Sequence, residues 1–348
     1  MGLVVAMVGL SLGIVTQEVS SMIVVMAMVT SLMAPPLLRW TLSGVSLTDE
    51  ERLRIERDTS RVIFDKTRLK ILIPTAGGAN AMKAIQLAIP IGRHDGVTTT
   101  VLYVGEGQKR GRGLFQRDRS GWNIQRHFDD IEQIAAKQGA EVTLRRIGGE
   151  DVIGAIQHEA RRGYDLIFLG ASGSRHAIYD DFLEQVIGKT PCHTIIMKNK
   201  DLTPKDVYQR ILVPTEGGYF SRVALEFAII YAEEVGASIT LLHVMATQFA
   251  GFPFAFPPNG RFSEEREATF FKGMTPLLSR TTVEIEMKIA EGEYVNNSIV
   301  QETLTGLYDL LVIGAENRAL REHLFLGYGT ERIVTESACS VAVVIPKI

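Results

Sequence analysis

Cysteine is scarce in this chain, and neither sign of charge is in large excess. Two cysteines among 348 residues cannot form a disulfide framework, which is typical of a protein in the reducing cytosol. The formal net charge of −3 gives no basic surface of the kind that binds nucleic acid. The seven histidines have no metal-ligand spacing, and no ordered His and Asp set accompanies Ser172 as a nucleophile. We therefore expect no nucleic-acid partner, no metal site and no enzymatic activity.

Charged side chains are also missing from the amino-terminal segment, where Glu18 is the single charged residue among residues 1–38. No Lys or Arg precedes the first apolar run, so a secretion signal is a poor interpretation. A buried helical hairpin in a soluble core is the alternative, but helices without a polar face argue against it. The segment is predicted to lie in a membrane.

Two apolar runs, residues 1–15 and 22–38, predict two membrane helices, the first lacking its initial turns. The second run, about 17 residues long, is at the lower limit for a helix that crosses a bilayer. Residues 16–21 are predicted to form the loop between them, and Pro35 and Pro36 stand where the second helix would end. The arginines that follow indicate that this end faces the cytoplasm.

The remainder of the chain is a repeat. The stretch KILIPTAGG, which begins at Lys70, returns as RILVPTEGG at Arg210, 140 positions later (210 minus 70). The stretch YDLIFLGASG at Tyr164 returns as YDLLVIGAEN at Tyr308. VTTTVLYV similarly matches ASITLLHV, and PC before HTIIMK matches AC before SVAVVI. Four matches in the same order indicate a duplicated domain.

Within each copy, apolar runs alternate with amphipathic stretches in the order strand, helix, strand, helix, strand, strand. This alternation predicts an α/β fold with an open, doubly wound and mostly parallel sheet in each copy. Ligands of such folds bind at the carboxyl ends of strands, near residues 75–78 and 215–218. The predicted helices are residues 79–91, 128–138, 219–235 and 297–306.

These patterns divide the chain into four parts. Residues 1–42 are the membrane segment, and residues 43–68 are a charged linker helix that begins with a capping box at Thr48. Copy one comprises residues 69–200, and copy two comprises residues 208–348.

The strand starts KILIP and RILVP, the YDLxxxGA strands and the Cys-led last strands resemble the universal stress protein family, here in tandem. The apolar start, with VMAMVTSLMAPPLLRWTL, resembles the last two membrane helices of bacterial monovalent cation/proton antiporters. Together these resemblances imply a cytoplasmic regulatory tail joined to the transmembrane part of an antiporter in the cell inner membrane. Neither apolar run contains an ionisable residue, so the chain is not expected to transport ions alone. The alternative is a free-standing tandem stress protein that binds an adenine nucleotide.

For the nucleotide-binding members, the resemblance implies an acid after the first strand and a Gly-x2-Gly-x9-Gly-Ser/Thr loop after the fourth. Glycines would let backbone N–H groups approach phosphate at a helix amino end. Copy one departs from this pattern: Ala76 stands at the acid position, and Asp180, Asp181 or Glu184 falls near the phosphate position.

Copy two keeps more of the pattern. Glu216 takes the acid position, Gly314 opens the loop, and Asn317 stands where the second glycine is expected. If ATP or a cyclic dinucleotide binds, we therefore expect it in copy two. The alternative is that these glycines only make a tight turn. The candidate binding residues are Glu216, Gly217, Gly218, Val244, Gly314, Asn317, Gly327 and Thr330.

The last strand of each copy, HTIIMK or SVAVVI, would leave an apolar edge open to aggregation. The resemblance also implies association along this edge. We therefore expect the two copies to pair within the chain through these strands, and a homodimer is a further candidate.

Overall fold

The structure is a computed structural model. It describes residues 16–42, 62–105, 119–149, 151–171, 181–200, 207–246, 271, 274–316, 318–320, 323–325 and 328–347. The chain divides into two compact units, Met1–Ser60 and Arg61–Ile348.

The described part of the first unit is one long helix, α1 (Gln17–Leu42). The loop predicted for residues 16–21 is therefore wrong. Thr16 caps the helix, since its Oγ1 accepts from the N–H of Val19 at 3.5 Å, and Glu18 lies in the first turn, where the helix dipole favours a carboxylate. The predicted end at the prolines is also wrong, because α1 continues through Pro35 and Pro36 to Leu42. The fixed φ of proline is compatible with a helix, and what proline lacks is the N–H for a backbone hydrogen bond.

Helix α1 is long and apolar enough over Gln17–Ala34 to cross a membrane, and no part of that window is buried. Its exposed side chains include Met22, Met26 and Leu32. The first predicted membrane helix, at residues 1–15, lies outside the described residues. Residues 43–61 of the predicted linker helix also lie outside the described residues.

The second unit contains a ten-stranded sheet flanked by helices. In copy one the elements are β1 (Lys70–Thr75), α2 (Ala79–Ala88), a 3₁₀ turn (Ile89–Arg93), β2 (Thr98–Gly105), α3 (Arg119–Lys137), β3 (Val142–Gly148), α4 (Val152–Ala160), β4 (Leu166–Gly170), α5 (Asp181–Lys189) and β5 (His193–Lys198).

Copy two repeats this plan. Its described elements are β6 (Arg210–Pro214), α6 (Tyr219–Val235), β7 (Ser238–Ala246), α7 (Thr275–Leu278), β8 (Ile285–Gly292), α8 (Val295–Leu304), β9 (Leu310–Gly314), the short pair β10 (Arg318–Leu320) and β11 (His323–Phe325), α9 (Tyr328–Glu336) and β12 (Ser340–Ile345).

The strands are ordered β3-β2-β1-β4-β5-β12-β9-β6-β7-β8. Within each copy the ladder is parallel, and strand order reverses between β1 and β4 in copy one and between β6 and β9 in copy two. The predicted doubly wound α/β fold is confirmed. The predicted element order is wrong, however. In copy one it omitted β3, the following helix α4 and the helix α5 between the last two strands, and in copy two it omitted β8 and the helices α7 and α9. β3 carries Arg145 and Arg146 and is only partly buried at the sheet's edge, so it lacks the continuous apolar run that marks a central strand.

The two copies join through antiparallel pairing of β5 with β12, in which Ile196 lies opposite Val343. This confirms the predicted association of the copies through their last strands. Alternate residues of both strands enter two buried clusters, one on each face of the sheet: Ile195 lies in one cluster and Ile196 in the other. Both clusters contain residues of both copies, so the tandem shares its core.

Candidate functional site

A tight turn connects the first strand to the first helix in each copy. In copy two, Gly217 has φ +81°, and its N–H donates to Thr215 Oγ1 at 3.0 Å. In copy one, Gly77 has φ +86°, and its N–H donates to Thr75 Oγ1 at 3.1 Å. A positive φ favours glycine, so Gly217 has a conformational role whether or not a ligand binds.

A cavity of about 460 Å³ opens at the carboxyl ends of β6, β7 and β9. It therefore lies at the reversal of strand order in copy two, where ligands of open α/β sheets bind. Among the predicted site residues, Glu216, Val244, Gly314 and Thr330 line it.

The other predicted site residues are placed differently. Gly217 and Gly218 form the turn that leads into α6, and Gly218 is the residue before its first turn. Asn317 and Gly327 lie outside the described residues.

Gly314 is required by packing. A Cβ there would lie 2.0 Å from the carbonyl oxygen of Phe220, because the end of β9 passes directly over the start of α6. The equivalent Gly170 has the same constraint in copy one, where a Cβ would lie 2.5 Å from the nitrogen of Ala81. Since copy one lacks the acid and still needs its glycine, Gly314 alone does not indicate a ligand.

The amino ends of two helices meet at the copy-two cavity. Phe220 and Ser221, in the first turn of α6, line it together with Gly329 and Thr330 from α9. Helix amino ends carry partial positive charge and free N–H groups, which favours a bound anion. Two carboxylates, Glu216 and Glu316, also line the cavity, so a phosphate would have to stay close to the helix ends and away from both acids.

Sequence reasoning missed several polar side chains of this cavity, among them those of His243 and Asn296. His243 is 8 % exposed, and its Nδ1 lies 2.8 Å from the carbonyl oxygen of Thr215, so Nδ1 is the donor. Asn296, from α8, comes so close to α9 that a Cβ at Gly329 would lie 2.8 Å from its Nδ2. His243 stands within an apolar strand where copy one has Tyr103, and this difference is the signal in the sequence that could have identified it.

The corresponding cavity of copy one is smaller, about 240 Å³, and its lining is mostly apolar. Matched at the cysteines (339 minus 192 is 147), Gly329 and Thr330 of copy two correspond to Phe182 and Leu183 of copy one, which line its cavity. Ala76 lines it at the acid position.

The predicted carboxylates of copy one do not surround this cavity. Neither Asp181 nor Glu184 belongs to its described lining, and Asp180 lies outside the described residues. The first turn of α5 presents Phe182 and Leu183 to the cavity instead. Among the described residues, a smaller volume and a mostly apolar lining therefore distinguish copy one.

A histidine from α3 covers the turn of copy one. His127 Nε2 lies 3.1 Å from Thr75 Oγ1, and its ring stands 3.8 Å from the position of a Cβ on Gly77. Burial lowers the pKa of His127, which favours the neutral ring against this hydroxyl. The turn of copy one is thus already occupied by the chain's own side chain.

Comparison with known proteins gives the same division of the chain. The universal stress protein family matches residues 67–198 and 207–344. A universal stress protein of Methanocaldococcus jannaschii is 27 % identical over 143 residues, which cover 40 % of this chain and 84 % of that protein.

Two solved structures match nearly the whole tandem. A universal stress protein from Archaeoglobus fulgidus has a TM-score of 0.52 at 15 % identity and covers 81 % of this chain and 97 % of its own. The cytoplasmic domain of a prokaryotic cation chloride cotransporter has a TM-score of 0.50 at 12 % identity and covers 80 % of this chain and 96 % of its own. At these identities the structures support the fold, while the two family matches together span most of the chain. The chain therefore belongs to the universal stress protein family, with two copies of the domain in tandem.

Proposed function

We propose that this protein is the membrane-anchored regulatory tail of a bacterial cation/proton antiporter, with no enzymatic activity of its own. Its tandem domains stand in the cytoplasm, and copy two binds an adenine nucleotide, with ATP or a cyclic dinucleotide as the candidates. The observation that supports the proposal is the order of parts along the sequence. An apolar helix with exposed side chains precedes two domains whose cavities at the strand ends differ.

Helix α1 supports the membrane part of the proposal. Exposed methionine and leucine side chains cover its surface, and burying them in lipid removes apolar area from water. Its charged residues are Glu18 near one end and Arg39 near the other, so no ionisable group lies in the middle of the span. Exchange of a cation for a proton would require further helices.

The difference between the cavities supports ligand binding in copy two. Its cavity has about twice the volume of the copy-one cavity, two helix amino ends and an acid at the position that the family resemblance assigns to ribose or adenine. In copy one, Phe182 and Leu183 take the place of Gly329 and Thr330.

Cell fractionation tests the membrane anchor. The intact chain is expected in the membrane fraction, and a chain lacking residues 1–40 is expected in the soluble fraction. Recovery of the intact chain as a soluble protein without detergent would contradict the proposal and favour a free-standing tandem stress protein.

Calorimetric titration of the full chain in detergent micelles, with ATP and with a cyclic dinucleotide, tests the ligand. The Gly329→Phe variant gives copy two the side chain that copy one has at this place, and it is expected to abolish binding. The matched Phe182→Ala variant of copy one is expected to leave binding unchanged. Loss of binding with Phe182→Ala but not with Gly329→Phe would assign the ligand to copy one.

A further inference from the structure

The segment that leads into copy one is fastened to copy two. We call residues 62–66 the connector. The N–H groups of Ile63 and Phe64 both donate to Glu226 Oε1, at 2.6 and 2.8 Å, and Lys66 forms an ion pair with Glu233. Both acids belong to α6, the first helix of copy two. The connector therefore contacts copy two, although it precedes copy one in the sequence.

The attachment lies in the shared core. Phe64 is 1 % exposed, and its ring centroid lies 6.5 Å from that of Phe227 in copy two and 5.4 Å from that of His193 in copy one. Glu226 is 4 % exposed, and no hydrogen-bond partner for its Oε2 is found among the described residues. Burying a carboxyl group is unfavourable when one of its oxygens lacks a hydrogen bond. The favourable contribution of this side chain is therefore the pair of hydrogen bonds that it accepts from the connector.

The same helix reaches the copy-two cavity. Phe220 and Ser221 line the cavity, and Glu226 follows Ser221 by five residues, about 7.5 Å along the axis at 1.5 Å per residue. At the amino end, Gly314 allows β9 to lie against Phe220, and Thr215 Oγ1 donates to Ser221 Oγ at 3.2 Å. A displacement of this end is carried along a hydrogen-bonded helix to Glu226, where two short hydrogen bonds tolerate little movement.

We propose that α6 couples the copy-two cavity to the connector, so that crowding or filling the cavity at Phe220 and Ser221 weakens the hold of Glu226 on residues 63 and 64. Where a nucleotide is the agent, the coupling rests on the function proposed above. Where a substitution displaces the helix, it does not. Ligand binding in copy two would then weaken the hydrogen bonds of the connector, which follows the proposed membrane segment in the sequence.

The first test needs no ligand. In Gly314→Ala the added methyl group must push the start of α6 away, and in Gly170→Ala it pushes the start of α2, the equivalent helix of copy one. Amide hydrogen exchange of the full chain in detergent micelles is followed by mass spectrometry on a peptide that contains Ile63 and Phe64. Gly314→Ala is expected to speed their exchange by about fivefold or more, and Gly170→Ala is expected to leave it unchanged.

A second pair of variants removes one hydroxyl group each and disturbs the packing less than the glycine variants, so it is a check on misfolding. Thr215→Val removes the hydroxyl that bonds Gly217 and Ser221 at the start of α6, and Thr75→Val removes the equivalent hydroxyl in copy one. Faster exchange at Ile63 and Phe64 in Thr215→Val alone supports the coupling. Equal exchange in both members of each pair would overturn it.

The second test adds ATP to the unmodified chain, with binding measured separately by calorimetry. Binding accompanied by faster exchange at Ile63 and Phe64 supports the coupling, and binding with unchanged exchange overturns it. Absence of binding contradicts the proposed ligand instead, and the substitution pairs then decide the coupling alone.

Discussion

Glu226 shows how burial sets the behaviour of a single residue. Burial raises the pKa of this carboxyl, while the backbone N–H groups of Phe64 and Ile63 and the charges of Arg222 and Arg280 act in the opposite direction. The raised pKa means that the folded chain binds the proton more tightly than the unfolded chain. The stability associated with Glu226 is therefore fully present below the unfolded pKa, near 4.5, and is lost as pH rises through the higher folded value.

We predict that Glu226→Gln makes the free energy of unfolding less dependent on pH above about 4.5, since glutamine accepts the same two hydrogen bonds without ionising. Glu226→Leu leaves unpaired the partly buried N–H of Ile63 and the buried N–H of Phe64, and it is expected to cost about 1–3 kcal/mol for each. Denaturant unfolding between pH 5 and 8 measures both effects. Glu233→Gln, on the same helix but at the surface, is the control for the loss of one acidic side chain from α6.

Cys192 illustrates the same effect on a thiol. Burial raises its pKa to about 12, with the charge of Asp165 adding to the shift, and both it and Cys339 are buried. A thiolate is the reactive form of cysteine, so we predict that neither residue is alkylated by iodoacetamide at pH 8 in the folded chain and that both react in guanidinium. Mass spectrometry counts the modified thiols. Rapid labelling of the folded chain would contradict the buried placement.

At the scale of the element, the sequence predicts best what is most buried. Helix α6 begins and ends where its apolar pattern indicates, because most of its residues enter the core. The strands β3 and β8 are the outer strands of the sheet, and their half-exposed residues include arginine, lysine and glutamate. Because they lack a continuous apolar run, the sequence does not predict them as strands. The site follows the same division. The turn and the acid can be predicted from the repeat, and His243 differs from Tyr103 at the matching position, whereas Asn296 can be recognised only from the contact of α8 with α9.

The position of a strand in the sheet also sets what it tolerates. Val343 in β12 is 0 % exposed between β5 and β9, whereas Met287 on the outer strand β8 is 56 % exposed. We predict that Val343→Asp lowers the free energy of unfolding by about 3 kcal/mol or more, because it buries an unpaired charge. Met287→Asp is expected to change it by less than about 0.5 kcal/mol. Similar losses in denaturant titrations of the two variants would contradict the central position of β12.

For the whole molecule, the continuous sheet and the two shared core clusters predict cooperative unfolding. Calorimetry of the chain lacking residues 1–40 should show one transition for the tandem, with equal calorimetric and van't Hoff enthalpies. The Val343→Asp change should lower the midpoint of that transition without splitting it. Two separate transitions would show instead that each copy holds its own core.

The β5–β12 pairing also has an evolutionary consequence. In a symmetric dimer of single domains, every substitution appears in both subunits, so the two binding sites can only change together. Here the equivalent strands belong to one chain and pair as antiparallel neighbours, so each copy accumulates its own substitutions. Copy one could therefore fill its cavity with Phe182 and cover its turn with His127 while copy two kept an open cavity. Covalent fusion thus allows the two copies to differ at equivalent cavities, which two identical subunits cannot do.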